Sequence, residues 1–295
     1  MGFVADDKET WTTEHLPIGI RGMQEWPPVA QEKFAWETRL KALPIFARIW
    51  KVPPDSMISS MDRVCFVPST RLKLNKKTEL GWMHVDQSRR GRRGNLECFQ
   101  GFITLNEIGA SEVALEVMKG AHKCHRKFFE ERHPLNTETE LKTKNSDWFK
   151  FAAEDIAWYE KQPNVERTRV HAKAGSLVLW DSRLPHHAMP PRDNNERSDV
   201  DRYVIYTCFT PRAWANEATL KHRVKAFEGG RATPHWPHDK RMFNFKPRTY
   251  GNELPLADFD VAKQLKKLKD ESSDYELIKT LAGYPPSSSS TSKRC

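Results

Sequence analysis

The sequence predicts a mainly β fold with flanking helices, whose strands form an antiparallel jelly-roll barrel of the cupin type. Short runs rich in β-branched and aromatic residues recur between turn residues through the middle of the chain. Loops of varied length separate these runs, without the regular strand–helix alternation that a parallel sheet requires. The candidate strands are residues 63–67, 80–85, 98–106, 114–118, 168–172, 176–180 and 203–209.

The chain has 295 residues, which is enough for one domain with a large core. We predict a single domain over residues 1–284. Its barrel core spans about 58–212, with a helical N-terminal layer at 13–50 and a C-terminal wrap at 213–284. The low-complexity stretch 285–295, rich in serine, is predicted to be a flexible tail.

Helices are predicted in three places outside the barrel strands. In 13–50, apolar and aromatic side chains recur at helical spacing, but Pro44 interrupts them, so we expect two short helices or a kink. Residues 121–160 form a mostly helical insertion between core strands, and 256–282 form one charged terminal helix. Prolines between 211 and 245 argue against long helices in that region.

Composition indicates a protein without membrane-spanning segments in a reducing compartment. No apolar run approaches eighteen residues, and the first residues are too acidic for a signal peptide. Five cysteines, an odd number without a C-x-x-C pair, suit free thiols better than a disulfide framework. We therefore expect a cytoplasmic protein. The net charge of +9 weakly favours anionic partners.

Two histidines and an aspartate are the candidate metal ligands. His84 and Asp86 form an H-x-D pair at the end of an apolar stretch, and His186 closes a later strand-like run. Residues i and i+2 of a strand point to the same side, so both members of the pair can reach one metal ion. Two histidines and one carboxylate on one face are the ligand set of non-haem Fe(II) oxygenases, which keep metal positions open for a cosubstrate and O2.

Arg202 is the candidate partner of an anionic cosubstrate. It opens the candidate strand that follows His186, sixteen residues further along the chain. Its planar guanidinium group can hold a carboxylate with two parallel hydrogen bonds. A dicarboxylate cosubstrate therefore suits this position.

Five stretches, residues 82–87, 99–106, 115–122, 174–186 and 202–211, resemble the phytanoyl-CoA dioxygenase-like family of Fe(II)- and 2-oxoglutarate-dependent oxygenases. The resemblance covers about residues 60–212, roughly half of the chain. It implies a double-stranded β-helix, one Fe(II) ion bound by His84, Asp86 and His186, and 2-oxoglutarate held through its distal carboxylate by Arg202. The chain departs from the family pattern at 110–113, where relatives often carry a glycine-rich turn. It departs again where His187 follows His186, which leaves the third ligand ambiguous by one residue.

Other polar residues allow more than one interpretation. Gln100, on a candidate core strand, is predicted to bind the cosubstrate, and a buried hydrogen-bond network is the alternative. Arg183 is a second candidate anchor for a carboxylate, although an ion pair with Asp181 or exposure at the strand end is preferred. Residues 234–238 supply a histidine to the pocket or, as we prefer, form a rigid aromatic wrap over the barrel end.

A second metal site has little support in the sequence. The residues that suggest one are His122, Cys124 and His125. Their spacing is only loosely compatible with a single metal ion, and no fourth partner lies nearby in the sequence.

The sequence thus predicts an Fe(II)- and 2-oxoglutarate-dependent dioxygenase that hydroxylates a C–H bond of a small molecule or peptide. Succinate and CO2 are released, and ascorbate is expected to stimulate turnover. A binder of nucleic acid or another polyanion, or an oxygenase that modifies nucleic acid, is the alternative. It depends on the loop 88–94, whose basic residues are Arg89, Arg90, Arg92 and Arg93. A Zn(II) hydrolase with the same three ligands is a third interpretation, against which Arg202 argues.

Overall fold

The computed structural model describes residue 4 and residues 6–12, 24–67, 82–88, 96–110, 112–134, 148–189, 201–239 and 260–286. The strands are β1 (Gln24–Trp26), β2 (Met57–Ser59), β3 (Val64–Val67), β4 (His84–Val85), β5 (Phe99–Thr104), β6 (Ala114–Lys119), β7 (Phe149–Lys150), β8 (Glu166–Arg169), β9 (Leu177–Asp181), β10 (His186–Met189), β11 (Arg202–Thr207) and β12 (Phe209–Pro211). The α-helices are α1 (Lys33–Trp50), α2 (His125–Arg132), α3 (Ala153–Glu160), α4 (Glu217–Glu228), α5 (Val261–Glu271) and α6 (Tyr275–Ala282).

Two five-stranded antiparallel sheets build the barrel. Sheet I has the strand order β1–β3–β11–β5–β9, and sheet II has the order β7–β4–β10–β6–β8. The chain passes from one sheet to the other at every step from β3 to β6, and again at every step from β8 to β11. This repeated crossing between two antiparallel sheets is jelly-roll topology. The predicted mainly β fold with flanking helices is therefore confirmed.

Side chains of both sheets share one apolar core inside the barrel. Phe102 and Trp180 of sheet I lie in it together with Val85 and Leu115 of sheet II. Successive side chains of a strand point to opposite faces, so even-numbered residues of β5, β9 and β11 face this interior. Odd-numbered residues of β5 and β9, such as Ile103, pack instead against α1 and α6. Sheet I therefore separates the barrel interior from a helical layer.

The insertion between β6 and β8 supports the strand that carries the H-x-D pair. β7 pairs with β4, and Phe149 stands opposite Val85. The backbone N–H of Phe151 donates to the carbonyl oxygen of Met83 at 3.0 Å. Buried aromatic side chains of α2 and α3, including Phe128, pack behind this pair. The insertion thereby fixes β4 at the edge of the barrel core.

The strand-like run 175–186 is divided between the two sheets. β9 ends at Asp181 and belongs to sheet I, whereas β10 begins at His186 and belongs to sheet II. A turn separates them, in which the Leu184 N–H donates to the Asp181 carbonyl at 2.9 Å. His186 therefore opens a new strand and does not close the preceding one, which corrects the interpretation from sequence. Proline at 185 cannot donate a ladder hydrogen bond, which favours the break.

Three expectations about helices need correction. Helix α1 runs unbroken through Pro44, so two separate helices are excluded; its buried face, including Leu43 and Phe46, compensates for the hydrogen bond that proline removes. Helix α4 has 12 residues, because the prolines of this region lie on either side of it. The single terminal helix expected at 256–282 is two helices, α5 and α6, separated at 272–274.

Some predictions fall on residues outside the described ranges. These are the arginines of the loop 88–94, part of the insertion, the first residues of the helical layer and the serine-rich tail. Among the helices that are described, none is long and apolar enough to cross a membrane.

Candidate metal centre

The structure brings His84, Asp86 and His186 together. His84 on β4 and His186 on β10 are direct register partners in sheet II, and Asp86 follows β4. One ligand atom from each residue lies within 4.8 Å of the other two. Asp86 Oδ2 is 3.2 Å from His186 Nε2 and 3.7 Å from His84 Nε2. Two nitrogen atoms and one carboxylate oxygen therefore converge on one point, as a facial metal triad requires.

Backbone carbonyls orient both imidazole rings. Nδ1 of His84 is 3.2 Å from the carbonyl oxygen of Trp82, and Nδ1 of His186 is 2.9 Å from that of Leu184. In a neutral ring an Nδ1–H that donates to a carbonyl leaves the Nε2 lone pair free. Both Nε2 atoms face Asp86, so the two rings present the nitrogen that a metal would bind.

Aromatic rings hold the two histidines in place. The Trp82 ring stacks on His84 with centroids 3.9 Å apart and an interplanar angle of 9°. On the other side of the site, Trp180 packs against His186 with ring centroids 5.3 Å apart. These contacts restrict the χ angles of both ligand candidates, which lowers the entropy that metal binding would remove.

The charge state of the cluster suits a metal ion. Burial would raise the pKa of Asp86, but His235, His84 and the close contacts with the imidazole rings of His84 and His186 lower it well below its ordinary value. Burial and the neighbouring His84 charge lower the pKa of His186. The aspartate is therefore ionised and His186 neutral near pH 7, which are the protonation states that metal binding needs.

Gln100 contacts the carboxylate of the triad. On the inner face of β5 its Nε2 donates to Asp86 Oδ2 at 2.9 Å. A carboxylate only accepts hydrogen bonds, so this contact fixes which end of the amide faces Asp86. The other end, Oε1, is buried and has no hydrogen-bond partner in the part of the chain that the structure describes. Gln100 thus orients Asp86, and its predicted contact with a cosubstrate stays a prediction.

A network that the sequence did not reveal anchors the backbone after Asp86. Gln87 donates its N–H to the Ser182 carbonyl at 3.0 Å and accepts the Ser182 hydroxyl at 2.6 Å. The carbonyl of Gln87 accepts a hydrogen bond from His125 Nε2 at 2.7 Å. These bonds join the H-x-D segment to the β9–β10 turn that precedes His186. All are contacts between residues distant in sequence, so no local pattern could indicate them.

His187 points away from the cluster. Its Nε2 donates to Glu116 Oε1 at 2.8 Å, and the same carboxylate oxygen accepts Arg167 Nε at 3.0 Å. Neighbouring residues of a strand face opposite sides, so a strand that directs His187 to Glu116 directs His186 to Asp86. Of the two neighbouring histidines, His186 is therefore the one that faces Asp86.

Arg202 lies buried on the inner face of sheet I. Its side chain is 4% exposed, and its Cζ is 5.1 Å from the centroid of the Phe102 ring. Within the described ranges, Nε and Nη1 are buried without a hydrogen-bond partner. Leaving buried N–H groups of a guanidinium unsatisfied is costly, because they lose their hydrogen bonds to water and gain none in return. An anionic ligand at this position would satisfy it.

Three other candidates from the sequence are Arg183, the stretch 234–238, and the group of His122, Cys124 and His125. Arg183 forms a bidentate ion pair with Asp181, at 2.9 and 2.5 Å, in agreement with the preferred interpretation. In the stretch 234–238, Trp236 packs with Cys98 and Cys208, and His235 helps to lower the pKa of Asp86. Among the described residues, the triad is the one group with metal-binding geometry, and it does not include His122, Cys124 or His125.

No protein-family model matches the chain. The chain is 30% identical over 243 residues to Ava biosynthesis cluster protein O of Aspergillus versicolor, which covers 81% of this chain and 74% of that protein. Among solved structures it is similar to EvdMO1, with a TM-score of 0.39 and 17% identity, over 71% of this chain and 39% of that one. It is also similar to the epimerase SnoN in complex with Fe3+, alpha ketoglutarate and nogalamycin RO, with a TM-score of 0.40 and 12% identity, over 66% of this chain and 67% of that one. Both scores mark a distant resemblance, whereas the identity to the Aspergillus protein extends over most of both chains.

Proposed function

This chain belongs to the family of the Ava biosynthesis cluster protein O, and we propose that it is an Fe(II)- and 2-oxoglutarate-dependent oxygenase acting on a small molecule. The observation that carries the proposal is the presence, in one barrel, of the His84–Asp86–His186 cluster and of the buried Nε and Nη1 of Arg202, which no described residue satisfies. The cluster suits a metal ion with open coordination positions, and the Arg202 guanidinium suits an anion inside the same barrel.

The donor set fits Fe(II). Two imidazole nitrogens and one carboxylate oxygen occupy one side of the site, and Nε2 of each histidine is left free by the hydrogen bond at Nδ1. Fe(II) and 2-oxoglutarate, when bound, supply oxidative decarboxylation of the cosubstrate coupled to oxidation of a substrate C–H bond, with release of succinate and CO2. His84, Asp86 and His186 would hold the metal.

The other residues of the site would orient a metal ligand or bind the cosubstrate. Gln100 holds the Asp86 carboxylate through a 2.9 Å hydrogen bond, which limits its rotation toward or away from the metal. Arg202 would hold the distal carboxylate of 2-oxoglutarate with its free Nε and Nη1 donors. The Phe102 ring beside Arg202 belongs to the apolar core, and such surroundings would exclude water and strengthen that ion pair.

A Zn(II) hydrolase would use the same kind of triad, because catalytic zinc also takes three protein ligands and an open position. It would leave Arg202 without a function. A dianionic cosubstrate gives this buried cation a partner, and it is the reason for preferring Fe(II) and 2-oxoglutarate. The finer placement of the chain in the phytanoyl-CoA dioxygenase-like branch is also part of the proposal.

A small molecule is the proposed class of substrate. The relative's name associates it with a biosynthesis cluster. A small-molecule substrate would suit an enzyme of biosynthesis. The alternative, a nucleic acid, depends on Arg89, Arg90, Arg92 and Arg93, which lie outside the described residues. We therefore propose no role for them.

Turnover of the cosubstrate tests the proposal. The purified chain, loaded with Fe(II) and supplied with O2, ascorbate and a panel of small molecules, is expected to convert 2-oxoglutarate to succinate. The matched control is Asp86→Ala, which removes one ligand candidate from a site lined by polar groups and should leave the fold intact. Succinate formation by the variant at the wild-type rate, or with Zn(II) in place of Fe(II), would contradict the proposal.

A further inference from the structure

The inner face of sheet I carries a third buried donor without a partner. Nε1 of Trp180 is buried, and no described residue accepts its hydrogen bond. The other two are Nε and Nη1 of Arg202. Leaving an N–H unsatisfied in the interior costs about 1–3 kcal/mol. Three such atoms on one face of one sheet indicate a site for something that accepts hydrogen bonds.

The three donors lie along one path that starts at the metal cluster. The Trp180 ring is 5.3 Å from the His186 ring and 5.9 Å from the Phe102 ring, centroid to centroid. Arg202 Cζ lies 5.1 Å from the centroid of the same Phe102 ring. The Trp180 donor is thus next to the metal ligands, and Phe102 lies between it and the Arg202 donors. One donor group is close to the metal and the other is remote from it.

The chemistry of the donors specifies the ligand. An indole N–H and a guanidinium donate hydrogen bonds and accept none. A water molecule could accept from Trp180, but it could not neutralise Arg202. A short molecule with an acceptor group at each end, and negative charge at least at the Arg202 end, satisfies both. A dicarboxylate has this form.

We propose that the indole N–H of Trp180 donates a hydrogen bond to the metal-proximal carboxylate of 2-oxoglutarate, while Arg202 binds the distal one. This rests on the proposed function. Trp180 is then a positioning residue for the cosubstrate, in addition to packing against His186. Its cross-strand partner on β5 is Gln100, whose amide N–H is already directed to Asp86. The indole N–H, which no described residue satisfies, is therefore available to the ligand on this side of the site.

Binding of 2-oxoglutarate to Trp180→Phe measures the hydrogen bond. Phenylalanine keeps an aromatic ring against His186 but has no N–H. Calorimetric titration into Zn(II)-loaded protein, which cannot turn over, should show a dissociation constant raised roughly tenfold to hundredfold, as expected for a hydrogen bond to a charged group. The matched control is Trp158→Phe, because the indole of Trp158 donates to Glu131 on the surface at 3.1 Å. The control should bind like the wild type.

A second measurement does not depend on the folding of that variant. The 10 tryptophans give indole N–H signals in a proton–nitrogen correlation spectrum. One of them should move to higher proton frequency when 2-oxoglutarate is added to the Zn(II) form. The same signal should broaden when a paramagnetic metal replaces Zn(II), because Trp180 packs on His186.

Two different failures can be told apart. Unchanged affinity of a folded Trp180→Phe variant, or no indole signal that responds to 2-oxoglutarate, would overturn the role of Trp180; the indole would then pair with Gln100 Oε1 or a buried water. Absence of 2-oxoglutarate binding by the wild type would instead refute the proposed function.

Discussion

His84 and His186 stand directly opposite each other in the β4–β10 pair, with ring centroids 4.3 Å apart. The two residues are a hundred positions apart in the sequence, and strand register alone brings them together. A slip of one residue in β10 would turn His187 to the metal side and His186 away from it. The Glu116–His187 hydrogen bond on the opposite face opposes that slip.

We predict that His186→Ala abolishes metal binding and that His187→Ala retains it. His186 Nε2 faces Asp86, whereas His187 contacts Glu116. Loss of the His187 hydrogen bond should lower the free energy of unfolding by about 1–3 kcal/mol, because Glu116 loses one of its buried donors. Metal stoichiometry and urea unfolding of both variants check this. Retention of metal by His186→Ala and its loss in His187→Ala would mean that the register is off by one.

We predict that Gln100→Leu weakens metal affinity about 10- to 100-fold while the chain remains folded. Partners that hydrogen-bond to a metal ligand typically contribute this much, because they fix the ligand's orientation. The measurement is competition for the metal with a chelator of known affinity. Gln31→Leu is the matched control, since Gln31 is buried but bonds to Trp36 and to the Arg231 carbonyl, away from the site. Equal metal affinities of Gln100→Leu and Gln31→Leu would show that Gln100 does not support metal binding.

We predict that Arg202→Ala raises the half-saturating concentration of 2-oxoglutarate tenfold to several hundredfold, and that metal binding survives. Hydrogen bonds to charged groups contribute about 1.5–3 kcal/mol each, and 1.4 kcal/mol is a factor of ten. Arg202→Lys should restore affinity only in part, because an ammonium cannot reproduce the planar fork. Arg183→Ala is the control of equal charge, since Arg183 is already paired with Asp181. If Arg183→Ala raises the half-saturating concentration of 2-oxoglutarate and Arg202→Ala does not, Arg183 is the residue that binds the distal carboxylate.

We predict that stability falls between pH 6.5 and pH 4 partly because of His125. Burial lowers the pKa of His125 to about 4, against about 6.5 in an unfolded chain. In this window the unfolded chain binds a proton that the native state does not, so the free energy of unfolding decreases as the pH falls, by up to about 3 kcal/mol. Above pH 6.5 the residue has no such effect.

The pH dependence is measured by urea unfolding at several pH values. His125→Gln should have a flatter profile than the wild type, since glutamine does not titrate and its amide can still donate to the Gln87 carbonyl. His122→Gln, on the turn before α2 and less buried, should keep the wild-type slope. A profile of His125→Gln parallel to that of the wild type would assign the loss of stability to other groups.

The triad could be predicted from the sequence because its geometry follows from a local rule. His84 and Asp86 are two residues apart on an extended segment, and this spacing places both on one side wherever the strand lies. The third ligand could be predicted only by its order along the chain. β10 begins a new strand in sheet II at His186 because it pairs there with β4 and β6, which lie far away in the sequence.

The features of the fold and the site that could not be predicted from the sequence depend on contacts between residues far apart in the chain. Gln87 is held by Ser182 and His125, and His235, in a loop after the barrel, helps to lower the pKa of Asp86. Helix α1 continues through Pro44 because its buried face packs on the barrel, a tertiary effect that outweighs local propensity. Such effects appear only once the sheets and helices are assembled.

The most direct test of the central claim is an anaerobic titration of the chain with Fe(II) and then with 2-oxoglutarate, followed by visible absorption. Chelation of Fe(II) by the 2-oxo acid produces a charge-transfer band that neither component shows alone. We predict a band that saturates at one Fe(II) and one 2-oxoglutarate per chain, that is lost in Asp86→Ala, and that requires far more 2-oxoglutarate in Arg202→Ala. Absence of the band in the wild type, or its persistence unchanged in both variants, would contradict the assignment of this site.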